Sequence, residues 1–276
     1  MPRPRGYTGL MVAGCAFEIQ VTRSTLTDQK ADSAAAAATP YEARPERILA
    51  IVAHPDDADF GIAGTIARWV SAGSVARMVC CTSGDAGGDD ATADPLELAR
   101  AREAEQRAAA EVVGYEGVDF LHRPDGALVN DLALREQLVR IIRTFKPDAV
   151  MAMDPTVVIH EDGFIQHVDH RNAGLAAIDA VYPAARNAMA FPHLMTVDGL
   201  APWEVHELYL FFTDSPNVWV DTTDTIDTKI AALKKHVSQL RKPEELEGML
   251  RGWAAENGEK IGAAAAERFR WLQLDR

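Results

Sequence analysis

Short apolar runs alternate with longer stretches of helical periodicity along most of this chain. The apolar runs, the first of them β-branched in part, are typical of buried strands, and they cover residues 47–53, 75–82, 118–121, 149–153, 208–212 and 218–220. Helical spacing predicts helices over residues 66–72, 96–113, 132–145, 170–181 and 226–240, followed by two more helical stretches that end at Leu274. This alternation predicts an α/β fold, a single-domain Rossmann-like and mainly parallel sheet with helices on both faces.

The first 45 residues do not follow that pattern. Residues 34–38 are five alanines in a Ser-, Thr- and Pro-containing segment that has no amphipathic period. We therefore expect residues 1–45 to form a disordered or loosely attached extension, and residues 46–276 to form the folded domain. Residues 10–15 superficially resemble a lipoprotein cleavage box, but the apolar stretch before Cys15 is shorter than the roughly 7–15 residues of a signal-peptide core.

Composition narrows the range of partners. The chain has 276 residues and a formal net charge of −13, whereas nucleic acids and anionic membranes are bound by basic surfaces. We expect a small-molecule substrate, no nucleic acid and no membrane partner, and we leave a homo-oligomer open. Cys80 and Cys81 are neighbours in a predicted strand and face opposite sides of it, so they are poor joint ligands. Three cysteines make no disulfide framework, and reduced thiols suit the cytoplasm.

The first chemically informative cluster follows the first predicted strand. His54, Pro55, Asp56 and Asp57 come directly after the apolar run, and Pro55 forces the chain out of the sheet. In open α/β sheets, ligands bind at the carboxyl ends of the strands. Adjacent aspartates do not easily point the same way, so one of the pair can bind metal while the other faces a substrate as a base. The alternative is that Asp56 or Asp57 only caps the following helix.

A second cluster follows the strand at residues 149–153. His167 and His170 are three residues apart, which places both on one face of a helical turn. Asp169 lies between them and can fix the tautomer of an imidazole. The alternative is a pair of ordinary histidines at a helix N-terminus. Two imidazoles and one carboxylate, with a fourth position open to water, make a hydrolytic zinc site. We therefore predict His54, Asp57 and His170 as the ligands of one zinc ion.

These motifs resemble those of the LmbE-like (PIG-L) zinc N-deacetylase family. The resemblance runs from about Arg47 to about Gln239 and is carried by residues 53–57, 82–85, Arg102 with Glu105, residues 109–114, 124–126, 167–171 and 236–239. It implies that Asp56 is the general base, that His167 stabilises the transition state, and that Asp169 orients His167. It also implies substrate contacts from Arg102, Asp125, Asp85 and His236. The chain departs from the family pattern at Val168, Asp59 and Ala63, and none of these departures removes a ligand.

The predicted chemistry is hydrolysis of an amide on an N-acylated amino sugar or a sugar-linked small molecule. In such a site, zinc lowers the pKa of a bound water towards about 7, and Asp56 accepts a proton as the water attacks. Zinc and protonated His167 stabilise the oxyanion. Two alternatives remain open from sequence, another metal hydrolase such as a phosphoesterase, and a non-catalytic sugar- or nucleotide-binding module. The motifs contain few Lys or Arg residues, which disfavours phosphoesterase chemistry.

Overall fold

A computed structural model describes residues 39–88 and 90–274 of the chain. Within these residues, seven strands form one sheet in the order β3-β2-β1-β4-β5-β7-β6. The strands are β1 (Arg47–Val52), β2 (Val75–Thr82), β3 (Gly117–Arg123), β4 (Ala149–Met153), β5 (Glu207–Phe211), β6 (Val218–Asp221) and β7 (Ala266–Gln273). Strands β1 to β5 pair in parallel, whereas β7 pairs antiparallel to both β5 and β6. The predicted α/β fold with a mainly parallel sheet is confirmed.

The helices follow the strands in the alternation that the sequence predicts. They are α1 (Asp57–Gly61), α2 (Ala63–Ser71), α3 (Pro95–Val113), α4 (Leu132–Phe145), α5 (Val168–Asp179), α6 (Pro192–Thr196), α7 (Ile226–Leu233) and α8 (Pro243–Glu259), with a π-helical turn at Ala180–Ala185. Their ends carry the expected signals. Asp94 and Asp131 cap the N-termini of α3 and α4 with their carboxylates, and Gly114 ends α3 in the left-handed conformation at φ 98°.

The core is centred on the two strands that lead to the site. Strands β1 and β4 are neighbours in the middle of the sheet, and Leu49, Ile51 and Val150 are fully buried. A central parallel strand is covered on both faces, which explains why its sequence is an unbroken apolar run rather than an alternating one. The carboxyl ends of β1 and β4 therefore lie side by side on a rigid base.

The C-terminal segment differs from the sequence prediction. Residues 266–273 form strand β7 instead of a second helical stretch, and α7 ends at Leu233 rather than at residue 240. The alanines and charged residues of this segment favour a helix locally. The segment is nevertheless a strand because its backbone pairs with β5 and β6, while Ala266 and Phe269 are buried and Arg268 is exposed. Tertiary pairing has overridden local propensity.

Two further sequence predictions concern the chain ends and the cysteines. Residues 1–38, most of the predicted extension, lie outside the described residues, whereas Tyr41 is tied to the sheet by a hydrogen bond from its N–H to the carbonyl of Trp219 at 2.8 Å. Cys80 and Cys81 are buried free thiols on β2. No helix in the described ranges is both long and apolar enough to cross a membrane.

Candidate active site

The turn after β1 brings the first cluster to the edge of the sheet. The backbone N–H of His54 donates to Asp57 Oδ2 at 2.7 Å, so Asp57 closes the turn with its own carboxylate. Asp57 also begins α1, and its residue is only 5% exposed. Asp56 lies between them with φ 92° and ψ −26°, in the left-handed region. The side chains of Asp56 and Asp57 leave the turn in different directions, since Asp57 contacts His54 and Asp56 lies beside Arg102.

The second cluster begins α5. His167 is the N-cap residue, and its Nδ1 accepts a hydrogen bond from the N–H of Asp169 at 3.3 Å. Asp169 is fully buried in the first turn, while His170 is half-buried one residue later and its ring stacks on Phe212 at 6.2 Å between ring centroids. The helix start thus presents both imidazoles at the same end of the sheet.

The two clusters meet around Asp57. Its Oδ2 lies 3.4 Å from His54 Nδ1, and its Oδ1 lies 3.1 Å from His170 Nε2. The ring centroids of His54, His167 and His170 are 5.0–5.5 Å apart. The structure therefore brings together the three residues that the sequence analysis selected as ligands, with His167 beside them.

Two further carboxylates surround His54. Its Nε2 lies 3.0 Å from Asp125 Oδ1 and 3.3 Å from Asp169 Oδ2. Burial alone would lower the pKa of His54, but Asp57, Asp125 and Asp169 outweigh it and raise that pKa to about 12. Burial opposes ionisation of Asp57 as well, yet His170 and His54 hold its pKa well below the usual range.

This donor set fits a divalent cation. Several carboxylates packed in a poorly solvated space are stabilised by positive charge among them, which a bound cation supplies or, without one, protonated His54. Two groups of side chains in the described residues bring one ligand atom each to within 4.8 Å of one another, His54 with His167 and His170, and His54 with Asp125 and Asp169. His170 Nδ1 is also buried without a hydrogen-bond partner among the described residues. Imidazole nitrogens with carboxylate oxygens are the ligand types that zinc accepts.

Asp56 faces a different environment from Asp57. Burial raises the pKa of Asp56 to about 7, assisted by the charge of Asp57 and opposed by Arg102. Arg102 Nη2 lies 3.5 Å from Asp56 Oδ2. Because the two aspartates have opposite shifts, Asp57 stays ionised while Asp56 can exchange a proton near neutral pH.

The four residues expected to contact substrate occupy three kinds of position. Asp85 is half-buried in the loop after β2. Asp125 contacts His54 and accepts a hydrogen bond from the N–H of Ala86 at 2.8 Å, and its contact with His54 lowers its pKa to about 2 although burial opposes the shift. Arg102 and His236 lie behind the turn instead, only 4% and 1% exposed. Arg102 donates to the carbonyls of Gly84 and Pro55, both at 2.9 Å.

The sequence analysis missed several contacts of this site. Asp169, expected to orient His167, donates its backbone N–H to His167 Nδ1. Its carboxylate faces His54 and accepts hydrogen bonds from the N–H groups of Gly126 at 2.7 Å and Leu128 at 3.1 Å, which the sequence analysis did not foresee. Gln106 was not singled out, although its Oε1 accepts the N–H of Asp56 at 2.7 Å. These contacts span 41–115 residues of sequence, so no local motif signals them.

The chain is similar in sequence to known deacetylases. Residues 49–181 match the family model described as PIG-L, GlcNAc-PI de-N-acetylase. A diacetylchitobiose deacetylase of Thermococcus kodakarensis is 30% identical over 231 residues, covering 82% of this chain and 83% of the relative. A 1D-myo-inositol 2-acetamido-2-deoxy-alpha-D-glucopyranoside deacetylase of Mycobacterium sp. (strain KMS) is 27% identical over 234 residues, covering 70% of this chain and 74% of the relative.

The fold of the chain is similar to that of a solved deacetylase structure. The N,N'-diacetylchitobiose deacetylase from Pyrococcus horikoshii, in complex with an inhibitor, superimposes with a TM-score of 0.76 at 32% sequence identity and covers 83% of this chain and 84% of its own. The family resemblance inferred from the motifs is thereby confirmed. The chain belongs to the PIG-L (LmbE-like) family of metal-dependent deacetylases, hydrolases that act on amide bonds.

Proposed function

We propose that this chain removes the acetyl or another acyl group from the amide nitrogen of an N-acylated amino sugar or a sugar-linked small molecule. The observation that carries the proposal is the meeting of His54 and His170 on the carboxylate of Asp57, with Asp56 beside it at a raised pKa of about 7. The family supports the same chemistry, since the relatives named above deacetylate amino-sugar compounds.

The proposed cofactor is one zinc ion per chain, held by His54, Asp57 and His170. Iron or cobalt would be tolerated, because N/O sites discriminate poorly between these ions. The bound cation would polarise the amide carbonyl and lower the pKa of a water molecule beside it. Asp125 and Asp169 contact His54 at Nε2, the ring nitrogen that faces away from Asp57. Their negative charges would favour a cation bound beside His54.

The proposed steps use the side chains around that position. Asp56 accepts the proton of the attacking water as its oxygen bonds to the carbonyl carbon. Protonated His167 donates a hydrogen bond to the oxygen on which negative charge develops. Burial and the neighbouring His54 lower the pKa of His167, which makes its protonated form a stronger acid than an ordinary imidazolium. When the C–N bond breaks, Asp56 or His167 returns a proton to the leaving amine.

Substrate contacts are proposed at the open side of the site. Asp85 lies in the loop after β2 and Asp125 accepts the N–H of Ala86 in the same loop, and both carboxylates are proposed to accept hydrogen bonds from sugar hydroxyls. Arg102 and His236 are proposed to act from behind the Asp56 turn, since both are buried there. We also propose that the protein works in the cytoplasm, which is consistent with the free thiols of Cys80 and Cys81, and that it binds no nucleic acid, in keeping with the net charge of −13. A homo-oligomer remains compatible with the proposal.

The deciding experiment is release of a primary amine from defined sugars. The zinc-loaded protein is incubated with N-acetylglucosamine and with N,N'-diacetylchitobiose, and free amine and acetate are measured together. Equal amounts of amine and acetate, lost on chelation and restored by added zinc, are expected. Hydrolysis of a phosphoester without release of acetate from the sugars, or tight sugar binding without any amine release, would refute the deacetylase proposal.

A further inference from the structure

The backbone at Asp56 is strained. Asp56 has φ 92° and ψ −26°, and a residue with a side chain in such a conformation costs about 1–3 kcal/mol and persists only where its surroundings hold it. Rotating the peptide between Pro55 and Asp56 would relieve this strain and swing the Asp56 carboxylate away from its place. The turn therefore needs an external constraint.

Helix α3 holds that peptide from both ends. The Pro55 carbonyl accepts a hydrogen bond from Arg102 Nη2 at 2.9 Å, and the Asp56 N–H donates to Gln106 Oε1 at 2.7 Å. This carbonyl and this N–H belong to one planar peptide group, so fixing both fixes its orientation. Arg102 and Gln106 are four residues apart on α3 and thus share a face of the helix. Both are buried, at 4% and 0% exposure.

The amide of Gln106 is itself fixed in one orientation. Its Nε2 donates to Asp59 Oδ2 at 2.8 Å, and the same oxygen lies 2.9 Å from His236 Nε2. A carboxylate accepts hydrogen bonds and does not donate them, so the Gln106 nitrogen must face Asp59 and its oxygen must face Asp56. Asp59 and His236 are 0% and 1% exposed, so water does not compete for these contacts.

We propose that Gln106 is a positioning residue for the deacetylation. It holds the Pro55–Asp56 peptide so that the Asp56 carboxylate faces the attacking water, while Asp59 and His236 keep the Gln106 amide in the required orientation. This inference rests on the proposed role of Asp56 as the base. A displacement of about 1 Å at a reacting group can cost about 10²-fold in rate, so a residue that never touches substrate can still control turnover.

A double-mutant cycle tests the proposal. Gln106→Met, which keeps the side-chain length but removes both hydrogen bonds, is measured in the wild-type and Asp56→Asn backgrounds with N,N'-diacetylchitobiose as the probe. In the wild-type background kcat should fall by about 10- to 10²-fold with little change in KM. In the Asp56→Asn background the same change should lower the residual kcat by less than about twofold, because the group that Gln106 positions is already inactive.

A neighbouring contact provides the matched control. Glu105 also lies on α3 and accepts hydrogen bonds from Ser238 N and Oγ at 2.8 and 2.7 Å, which joins α3 to the turn that carries His236. Glu105→Gln should leave kcat unchanged. The visible spectrum of the cobalt-loaded protein should also be the same in Gln106→Met as in wild type, because Gln106 contacts none of the proposed ligands. A general loosening of the site would change that spectrum.

Hydrogen exchange tests the same contact without any substrate. The Asp56 amide should exchange about tenfold faster or more in Gln106→Met than in wild type or Glu105→Gln, because its acceptor is gone. A wild-type protein that is inactive on the sugar would count against the proposed function, while the exchange rate would still decide on Gln106. If Gln106→Met does not fold, Gln106→Asn, which is one methylene too short to span both partners, replaces it in every measurement. Equal losses of kcat in both backgrounds, or an unchanged exchange rate, would overturn the proposal.

Discussion

Asp56 and Asp57 show how two adjacent and identical side chains acquire different chemistry. Asp57 is paired with His54 and His170, which hold its pKa low, whereas burial and the charge of Asp57 raise the pKa of Asp56 to about 7. A pair of acids whose environments separate their pKa values in this way is suited to one permanent ligand and one proton carrier.

Asp56→Asn should separate the base from the ligands. The variant keeps size and hydrogen-bonding capacity, so we expect full metal content and a kcat lower by about 10²-fold or more. In the wild type, the basic carboxylate is present above its pKa and lost as the pH falls, so kcat/KM should decline on the acidic side, and that decline should move or vanish in the variant. Asp57→Asn should lose metal first. An Asp56→Asn protein with wild-type turnover, or one that has simply lost its metal, would contradict the assignment.

His170→Ala should lose the bound ion. His170 contributes one of the two imidazoles that meet Asp57, so we expect metal analysis to show a strongly reduced stoichiometry after dialysis against a weak chelator. His160→Ala is the matched control, because His160 lies in the loop before α5 but contacts Asp214 at 2.9 Å and Gln166 at 3.3 Å instead. Wild-type metal content in His170→Ala, or equal loss in both variants, would rule out the proposed ligand set.

Whether a site residue could be predicted from the sequence depends on how many residues separate it from its partners in the chain. His54 and Asp57 are three residues apart after a strand, and His167 and His170 are three apart at a helix start, so local pattern alone selected them. The contacts of Asp59 with Gln106 and His236 span 47 and 177 residues. Tertiary packing brings such partners together. In its local sequence, each of them resembles an ordinary polar residue of a helix or of the protein surface.

Among the elements, helix α3 contributes most to the site without supplying a proposed ligand. Its Arg102 guanidinium fills the space beside Gly84 and Gly87, where an added Cβ would collide with it. A side chain at either position would displace the Arg102 guanidinium, so glycine at these points lets Arg102 of α3 reach the Asp56 turn. The sequence analysis placed α3 and β2 almost to the residue, but it treated the C-terminal residues 266–273 as helical, because pairing partners of a strand cannot be seen in its local composition.

Gly84→Ala should disturb this contact. Gly84 has φ +69°, and an alanine there would meet the Arg102 guanidinium in addition to adopting a left-handed backbone. We expect the free energy of unfolding to fall by more than the roughly 1–2 kcal/mol that a left-handed alanine costs by itself. We also expect kcat to fall, because Arg102 holds the Pro55 carbonyl.

The control for that prediction is Gly163→Ala. Gly163 has φ +88° but has no atom within 4 Å of an added Cβ among the described residues. Its substitution should therefore show the backbone cost alone. Urea denaturation of both variants, with kcat measured beside it, separates the two contributions. Equal destabilisation and equal kcat in the two variants would show that the Arg102 side chain can shift without a further loss of stability or activity.

At the scale of the whole molecule, the proposed active site lies at the parallel strands, and buried polar contacts tie helices to the antiparallel strands β6 and β7. Glu267 on β7 accepts hydrogen bonds from the N–H groups of Gly64 and Thr65 at 3.1 and 2.7 Å, and from Lys229 Nζ at 2.6 Å. A buried carboxylate at the N-terminus of α2 is stabilised by the helix dipole and by its lysine partner. Strand β7, which the sequence analysis took for a helical stretch, thus ties α2 and α7 to the sheet.

A half-buried carboxylate, that of Glu207, sets the N-terminal boundary of the folded unit. Glu207 Oε2 accepts hydrogen bonds from the hydroxyls of Tyr41, at 2.8 Å, and Tyr209, and from Trp271 Nε1 at 2.8 Å. The ring of Tyr41 also packs on those of Tyr209 and Trp271, with centroids 5.9 and 5.6 Å apart. Tyr41 therefore belongs to the folded domain, five residues before the boundary that the sequence suggested.

Two truncations should consequently behave differently. Removing residues 1–38 takes away a segment whose sequence has no amphipathic period, so we expect the melting temperature and kcat to remain close to those of the full chain.

Extending the deletion through Tyr41 removes a half-buried aromatic side chain and leaves Glu207 short of a donor. We expect this to lower the free energy of unfolding by about 2–4 kcal/mol. Tyr41→Phe, which removes only the hydroxyl, should cost about 1 kcal/mol. Because Tyr41 does not touch the proposed active site, kcat at a temperature where each variant is folded should not change. Equal stability of the two truncations would contradict the boundary at Tyr41, and a loss of kcat on removing residues 1–38 would show that the extension takes part in function.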